Sequence, residues 1–574
     1  MARLPVAPRS RSSFPTAMRA VAIAAVLSAA CGPAGGGNSG TAGSGGTSSG
    51  VAGSGAGGTS AAGSGGSSSG VAGTMGSGGS GPGGSATGSG GAGGSAAGSG
   101  GGAGGVTGSG GAIGRGGSSG TTGAGGSSGG TTGTGGSGAA GRGGAGGSAA
   151  GTGGSGTGTG GSSSGPVYNP SFKEFYGDDC TVATPKDVSI SGQLPNLFTN
   201  IDGTTMAKKS DWKCRRAELK AIVEKYIHGP KPGRPTTVTG SVSSTAIKVH
   251  VDNNGKSIDF SVSVSIPAGK TGPVPIIIGL GGSSLDPSIV SAEGVATGNY
   301  DHQAMSSETS RTGLFSTIYG TSTGASAQVG WAWGISRVID VLVDEKAAGR
   351  NNIIDPTAVG VTSCSRNGKG AFTVGAFDER IALGIPQESG TGGVSAFRIV
   401  NTGVKGPNGN PGQSLASAWS EAQGWFGTVF QTYTSGSKVD TSPGDTSSLA
   451  AMYAPRGLLV LDNSRIGELC ATCQHGATAA AQVVYKALGI PANVGYNGGN
   501  PSDPQNHCTF YTATQGPPLQ RAIRAHLTKT MPPDGRMEPQ PAGTADLTKW
   551  VPWSTTAPTL TDDVSWASPP LTSK

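Results

Sequence analysis

The sequence carries little charge. Only 12% of its 574 residues are Asp, Glu, Lys or Arg, and a formal net charge of +7 is mild for that length. No basic stripe interleaved with aromatics is present, which argues against a nucleic-acid partner. Long apolar runs are also lacking. Beyond the N-terminus no segment is apolar enough to span a bilayer, so membrane attachment would need an anchor. From residue 32 to about 166 even scattered apolar side chains are scarce: the tract is Gly, Ser, Thr and Ala. Such a tract cannot offset its ordering entropy and is expected to be a disordered linker. As a coil of about 135 residues it would span roughly 60–70 Å root-mean-square. Its "GGSG"-type repetition is loose and has no solenoid period.

What is present at the N-terminus is a targeting pattern. Arg3, Arg9, Arg11 and Arg19 precede the run "AVAIAAVLSAA", which ends at Cys31. A positive region, a short apolar region and small residues before a cleavage point make residues 1–31 a signal peptide. "LSAAC" resembles a bacterial lipobox with Cys31 as the lipidated residue, although Ser28 stands where Leu is usual and Leu27 lies one step back. Export as a cell-surface or periplasm-side lipoprotein is the expectation, with plain secretion as the alternative.

Residues 167–574 have ordinary composition and are long enough for one large domain. "WKCRRAELKAIVEKYIHG" (212–229) is amphipathic at helical period and ends at Gly229. "TTVTGSVSSTAIKVHVDNNGKSIDFSVSVSIP" reads as strands, with Asn254-Gly255 as a hairpin turn. "VPIIIGLGG" (274–282), "AVGVTSCS", "IALGIPQESG" and "RGLLVLDN" are continuous apolar runs leading into polar loops, the pattern of buried strands. "GWAWGISRVIDVLVDE" (330–345), the stretch after Ser365 through Phe377, and "GATAAAQVVYKALG" read as helices. Buried strands alternating with helices imply a three-layer αβα sandwich around a mostly parallel sheet. Sites in such sheets form at the carboxyl ends of strands, where Ser365, Glu388 and Asp462 all fall.

The stretch "SCSRNGKG" (363–370) holds two candidate chemistries. A phosphate-binding loop needs Gly-x4-Gly-Lys-Ser/Thr. Ser363 occupies its first glycine position and Gly370 follows Lys369, so phosphate cradling is disfavoured. A serine on a strand-to-helix turn is the nucleophile elbow of α/β-hydrolases. Here Ser363 and Asn367 replace the glycines of Gly-x-Ser-x-Gly. From these residues alone Ser365 is either a nucleophile or a structural loop serine.

"SCSRNGKGAF", "IPQESGTGG" and "NHCTF" together resemble the glucuronoyl esterases, carbohydrate esterase family 15. That family's nucleophile motif is Gly-Cys-Ser-Arg-x-Gly-Lys, its acid lies in a Pro-Gln-Glu-Ser-Gly loop, and Cys follows its catalytic His. The likeness runs from "QLPNL" at 193 to His507. It implies an α/β-hydrolase fold with Ser365 as nucleophile, His507 as base and Glu388 as acid, in the chain order of that fold. Asp462, after "LLVL", is a rival acid. Arg366 would serve the oxyanion through its backbone N–H and its charge. Lys369, one helical turn beyond Ser365, and Gln413 and Glu421 would bind sugar hydroxyls. The family's sugar-stacking Trp belongs in "DNSRIGELC", which has none, and Trp425 is the candidate substitute. Among the remaining histidines, His228 and His250 are expected at the surface, His475 and His526 are expected to be structural, and His302 is left open.

Of seven Cys, six remain beside Cys31, an even number for an exported protein. The resemblance implies pairing of Cys364 with Cys508 and of Cys180 with Cys214. Cys470 and Cys473 are left as Cys-x-x-Cys, and with no second pair to complete a metal site a local disulfide is expected. No metal and no cofactor is expected. The implied activity is hydrolysis of esters joining (4-O-methyl-)glucuronic acid of xylan to lignin alcohols, by a monomer. The alternatives are an acetyl or pectin-methyl esterase of the same fold, and a surface-tethered carbohydrate-binding lipoprotein with decayed catalysis.

Overall fold

The alternating segment folds as an antiparallel meander: Thr237–Val242 (β1), Ala246–Asn253 (β2) and Lys256–Ser265 (β3). Ile247, Val249 and Val251 of β2 point to the core, while Lys248 and His250 between them do not. Asn254 and Gly255 both take positive φ, 51° and 76°, as a two-residue hairpin turn demands. The continuous apolar runs become Val274–Leu280 (β4), Ile354–Cys364 (β6), Ile381–Gln387 (β7) and Gly457–Leu461 (β8). Ala296–Tyr300 (β5) and Val494–Asn497 (β9) complete a nine-stranded sheet of order β9-β8-β7-β6-β4-β5-β3-β2-β1. Pairings from β9 through β5 are parallel, and β5–β3 and the meander are antiparallel. This is the computed structural model of the chain, and it describes residues 167–168, 172–190, 192–406, 408–538 and 545–566. The expected leader 1–31 with Cys31, and the tract 32–166, lie outside the described residues.

Successive residues of the central strands feed two different cores, as a sheet covered on both faces requires. Ile276 and Ile278 of β4, with Leu458 and Val460 of β8, pack in a core shared with helices Trp212–Val223, Ala327–Ala347, Ser365–Phe377 and Ala471–Ala487. Ile277, Leu459 and Leu461 pack on the other side, with Ile289 and Val290 of helix Pro287–Ala292 and Leu519 and Ile523 of helix Thr512–His526. The chain therefore has the expected three-layer α/β-hydrolase architecture.

Register aligns the candidate residues. Cys364 of β6 pairs with Gln387 of β7, and Gln387 pairs with Leu461 of β8. Ser365, Glu388 and Asp462 each follow that row by one residue, so three neighbouring strands deliver them to one edge of the sheet.

One local expectation differs from the structure: His228 is not at the surface. The helix from Trp212 is regular only to Val223 and ends in a wider turn, Glu224–His228, before Gly229 at φ 75°. That turn carries His228 inward, so His228 is a buried residue and not a surface one. Its ring lies between Ser326 Oγ (3.3 Å) and Thr373 Oγ1 (3.4 Å), and burial pushes its pKa down to about 3. Helix Thr512–His526 had no helical signature, because Pro517 and Pro518 sit inside it.

Candidate active site

Ser365 sits where β6 turns directly into a helix, with φ 59°. A left-handed backbone costs a non-glycine residue roughly 1–2 kcal/mol, so its surroundings must hold it there. Ser363, in place of the pattern's first glycine, donates its hydroxyl to Leu280 O at 2.9 Å and so fastens β6 to the end of β4. Gly368, three residues after Ser365, has no room for a side chain: a Cβ there would lie 2.6 Å from Gln387 O. Asn367 is held by His302, whose Nε2 lies 2.8 Å from Asn367 Oδ1. Burial lowers the pKa of His302, which favours the neutral ring for this contact. The histidine left open by the sequence therefore buttresses the turn.

Glu388 also has positive φ, 46°, and its side chain is fully buried. Its N–H donates to Leu461 O at 2.8 Å, which ties the residue to β8. Glu388 Oε2 lies 2.7 Å from His507 Nδ1 and accepts from Cys508 N at 2.8 Å. A proton on Nδ1 satisfies that contact and leaves Nε2 free to exchange a proton elsewhere. The disulfide Cys364–Cys508 links the residue before Ser365 to the residue after His507. One covalent bond therefore brings the serine and the imidazole–carboxylate pair together. The donor atoms of Cys364, Glu388, His507 and Cys508 all lie within 4.8 Å of one another. Both sulfurs are used in the disulfide, so a carboxylate–imidazole pair remains rather than four metal donors.

Asp462 is fully buried and has different partners. Its Oδ2 accepts from Tyr496 OH at 2.7 Å and its Oδ1 from Asn463 N at 2.9 Å. Burial pushes its pKa up to about 7; the Tyr496 hydrogen bond opposes this and the Glu388 charge adds to it. Of the two carboxyl candidates, Glu388 is the one that touches the imidazole.

Beside Ser365 lies a polar network. Arg366 places NH1 3.0 Å from Glu308 Oε1 and NH2 3.2 Å from Glu421 Oε1. Gln413 Nε2 donates to Glu421 Oε2 at 2.6 Å, and Gln413 O accepts from Thr391 Oγ1 at 2.7 Å. Lys369 is buried; its Nζ donates to Ser389 O (2.6 Å) and Thr391 O (2.7 Å) and lies 4.6 Å from the Trp425 ring centroid. Burial depresses its pKa to about 7, against the pull of Glu421. The charged form has three N–H groups, so one remains beyond the two carbonyls. Arg366, Lys369, Gln413 and Glu421 therefore share one network. Trp425 is a correction: it is 1% exposed, with Nε1 donating to Glu308 Oε2 at 2.7 Å, so it offers no open face for a sugar. Glu308 was not anticipated, because "SSETSRTG" is a polar loop without periodicity.

Three disulfides are formed: Cys180–Cys214, Cys364–Cys508 and Cys470–Cys473, the pairs expected. His475 and His526 are buried, and burial pushes both to about 4, as structural residues allow. His250 is partly exposed between Asp252 and Asp259.

A family profile described as glucuronyl esterase, fungi, matches residues 249–489. A 4-O-methyl-glucuronoyl methylesterase of Neurospora crassa is 35% identical over 389 residues, 67% of this chain and 94% of that protein. The enzyme of the same name from Thermothelomyces thermophilus is 38% identical over 387 residues, with 67% and 93% covered. The crystal structure of a glucuronoyl esterase from Sporotrichum thermophile superposes with a TM-score of 0.60 at 36% identity, covering 67% of this chain and 100% of that one. A Ser→Ala variant of that enzyme has been solved in complex with methyl 4-O-methyl-beta-D-glucopyranuronate. With the shared architecture and this coverage, the chain belongs to the glucuronoyl esterases, carboxylic ester hydrolases of the α/β-hydrolase fold.

Proposed function

We propose that the chain hydrolyses esters of glucuronic acid, or 4-O-methylglucuronic acid, with alcohols, using Ser365, His507 and Glu388. The observation that carries this reading is the 2.7 Å Glu388–His507 contact, clamped beside Ser365 by the Cys364–Cys508 bond. Ser365 Oγ attacks the ester carbonyl while His507 Nε2 takes its proton, and Glu388 stabilises the imidazolium. The oxyanion of the tetrahedral intermediate is met by the Arg366 backbone N–H, with the guanidinium adding positive charge. His507 then passes its proton to the leaving alcohol. Water, deprotonated by the same imidazole, cleaves the acyl-enzyme to release the uronic acid and restore Ser365. Lys369, Gln413 and Glu421 hold sugar hydroxyls around the reacting carboxyl. The names of the relatives support a 4-O-methylglucuronoyl ester, and xylan esterified to lignin alcohols is the biological substrate in this reading.

The reading includes an exported monomer. Its leader is residues 1–31, ending at a lipidated Cys31. Residues 32–166 are a spacer, and residues 167–574 are the catalytic domain. Three disulfides support maturation in an oxidising compartment. The test is turnover of benzyl glucuronate against an acetylated sugar and a pectin methyl ester by the purified protein. Preference for benzyl glucuronate is expected. Faster deacetylation or pectin demethylation would move the substrate class, and no turnover of any of them would favour a carbohydrate-binding protein with decayed catalysis.

A further inference from the structure

We infer that Glu308 is the positioning residue that aims Arg366 at the reacting carbonyl, an inference that rests on the reading of Arg366 as the oxyanion residue. Arg366 is gripped by two carboxylates that differ in environment. The Glu421 side chain is 42% exposed and is shared with Gln413, so an entering sugar can take over its contacts. The Glu308 side chain is 12% exposed, and its two oxygens are divided between Arg366 NH1 and Trp425 Nε1. Glu308 is therefore the partner that stays when substrate arrives.

The backbone around Glu308 is built to be stiff. Its N–H donates to Gln303 Oε1 at 3.1 Å. Its carbonyl oxygen lies so close to Gly424 that a Cβ there would come within 2.1 Å, an approach that only glycine permits. Three residues on, Arg311 donates from NH2 to Gln423 O (2.7 Å) and Phe426 O (3.1 Å). The loop carrying Glu308 is thus stitched to the loop carrying Trp425. That indole lies beneath Lys369 Nζ, so one carboxylate fixes the arginine beside the nucleophile and the ring under the buried lysine. A half-exposed arginine with only water around it would sample many rotamers. A fixed carboxylate removes that freedom before the oxyanion forms, which is where preorganisation acts.

The test is a double-mutant cycle on benzyl glucuronate with Glu308→Gln, Arg366→Ala and the double variant. Glutamine keeps the volume but has one acceptor oxygen for two donors. Glu308→Gln is expected to lower kcat about ten- to hundredfold, with KM within about threefold, because orientation matters in the transition state. Arg366→Ala keeps the backbone N–H, so a residual rate stays measurable. In that background Glu308→Gln is expected to change kcat by less than about twofold, since its effect passes through Arg366. The inference is overturned if Glu308→Gln keeps wild-type kcat, if it lowers kcat equally in both backgrounds, or if it changes only the melting temperature. Wild-type kcat in Arg366→Ala alone would instead remove Arg366 from the oxyanion role. The two failures are therefore distinguishable.

Discussion

Removing the Cys364–Cys508 bond tests whether one covalent link serves both stability and catalysis. The perturbation is Cys364→Ala with Cys508→Ala. The two residues are 144 apart in sequence. In the chain-entropy account, reopening a loop of that size costs about 5 kcal/mol at 25 °C. Unfolding entropy for a domain of about 400 residues is roughly 0.8 kcal/mol per degree, so the melting temperature should fall by about 6 °C. Cys180 and Cys214 are 34 apart, and the same account gives about 4 kcal/mol for their removal, nearly the same fall.

Catalysis should separate these two variants. Ser365, Glu388 and Cys508 hold positive φ of 59°, 46° and 62°, and the Cys364–Cys508 bond ties the first of these turns to the last. Without it the elbow and the His507 loop can relax independently, and a misplacement of about 1 Å costs on the order of a hundredfold in rate. The Cys180–Cys214 bond fastens a segment to helix Trp212–Val223 and joins none of these turns. Melting by circular dichroism and kcat on benzyl glucuronate, measured at least 15 °C below the lower transition, give both readouts. The expected result is similar destabilisation in both variants, with kcat lost about a hundredfold only when Cys364 and Cys508 are changed. Wild-type kcat in that variant, or equal kcat losses in the two, would refute the clamp.

Ser365→Ala should lower turnover by about 10⁴- to 10⁶-fold with the fold intact by circular dichroism, and retention of a tenth of the activity would exclude Ser365 as the nucleophile. Lys369→Ala should reduce kcat/KM for glucuronate esters by roughly ten- to more than a hundredfold, and act less on a simple acyl ester. Equal losses on both substrates would show that Lys369 only anchors the Ser389–Thr391 carbonyls. Asp462 has a folded pKa of about 7 against 3.8, so the native state keeps a proton that the unfolded chain releases between those values, and its contribution to stability falls as pH rises through that window. Asp462→Asn should therefore gain on wild type by a few kcal/mol in urea denaturation between pH 4 and pH 8, and parallel pH profiles would contradict the raised pKa.

The strand ends were readable because burial on both faces leaves a continuous apolar run, and polar residues resume only where the sheet stops. That contrast located Ser365, Glu388 and Asp462 before any pairing was known. The choice between the two carboxyls was not readable on the same grounds. Both follow an apolar strand, and the difference lies in what His507 and Tyr496 reach across the site. Strand Ala296–Tyr300 left no signature for a related reason. In "ATGNY" Gly298 stands where a strand would carry a large side chain, and the space is filled by Val262 and Ile278 from neighbouring strands. Trp425 and His228 failed for want of direction: a sequence window gives an aromatic its neighbours in the chain, but not the loop that closes over it. Glu308, 58 residues before Arg366, had no local pattern at all.

The distribution of solvent exposure separates the network beside Ser365 from the Glu388–His507 pair. In the proposed reaction Glu388 keeps one geometry throughout, and its full burial against His507 Nδ1 and Cys508 N suits that role. Arg366 and Glu421 have a different requirement. They satisfy one another at 3.2 Å, and both are more than two-fifths exposed. An exposed ion pair of this kind is worth about 1 kcal/mol or less. Exchanging part of it for hydroxyls therefore costs little, whereas breaking a buried pair would cost several kcal/mol. If the network admits a sugar as proposed, weak contacts on the ligand side and strong ones behind suit it best. Glu421 and Glu308 stand on those two sides of Arg366.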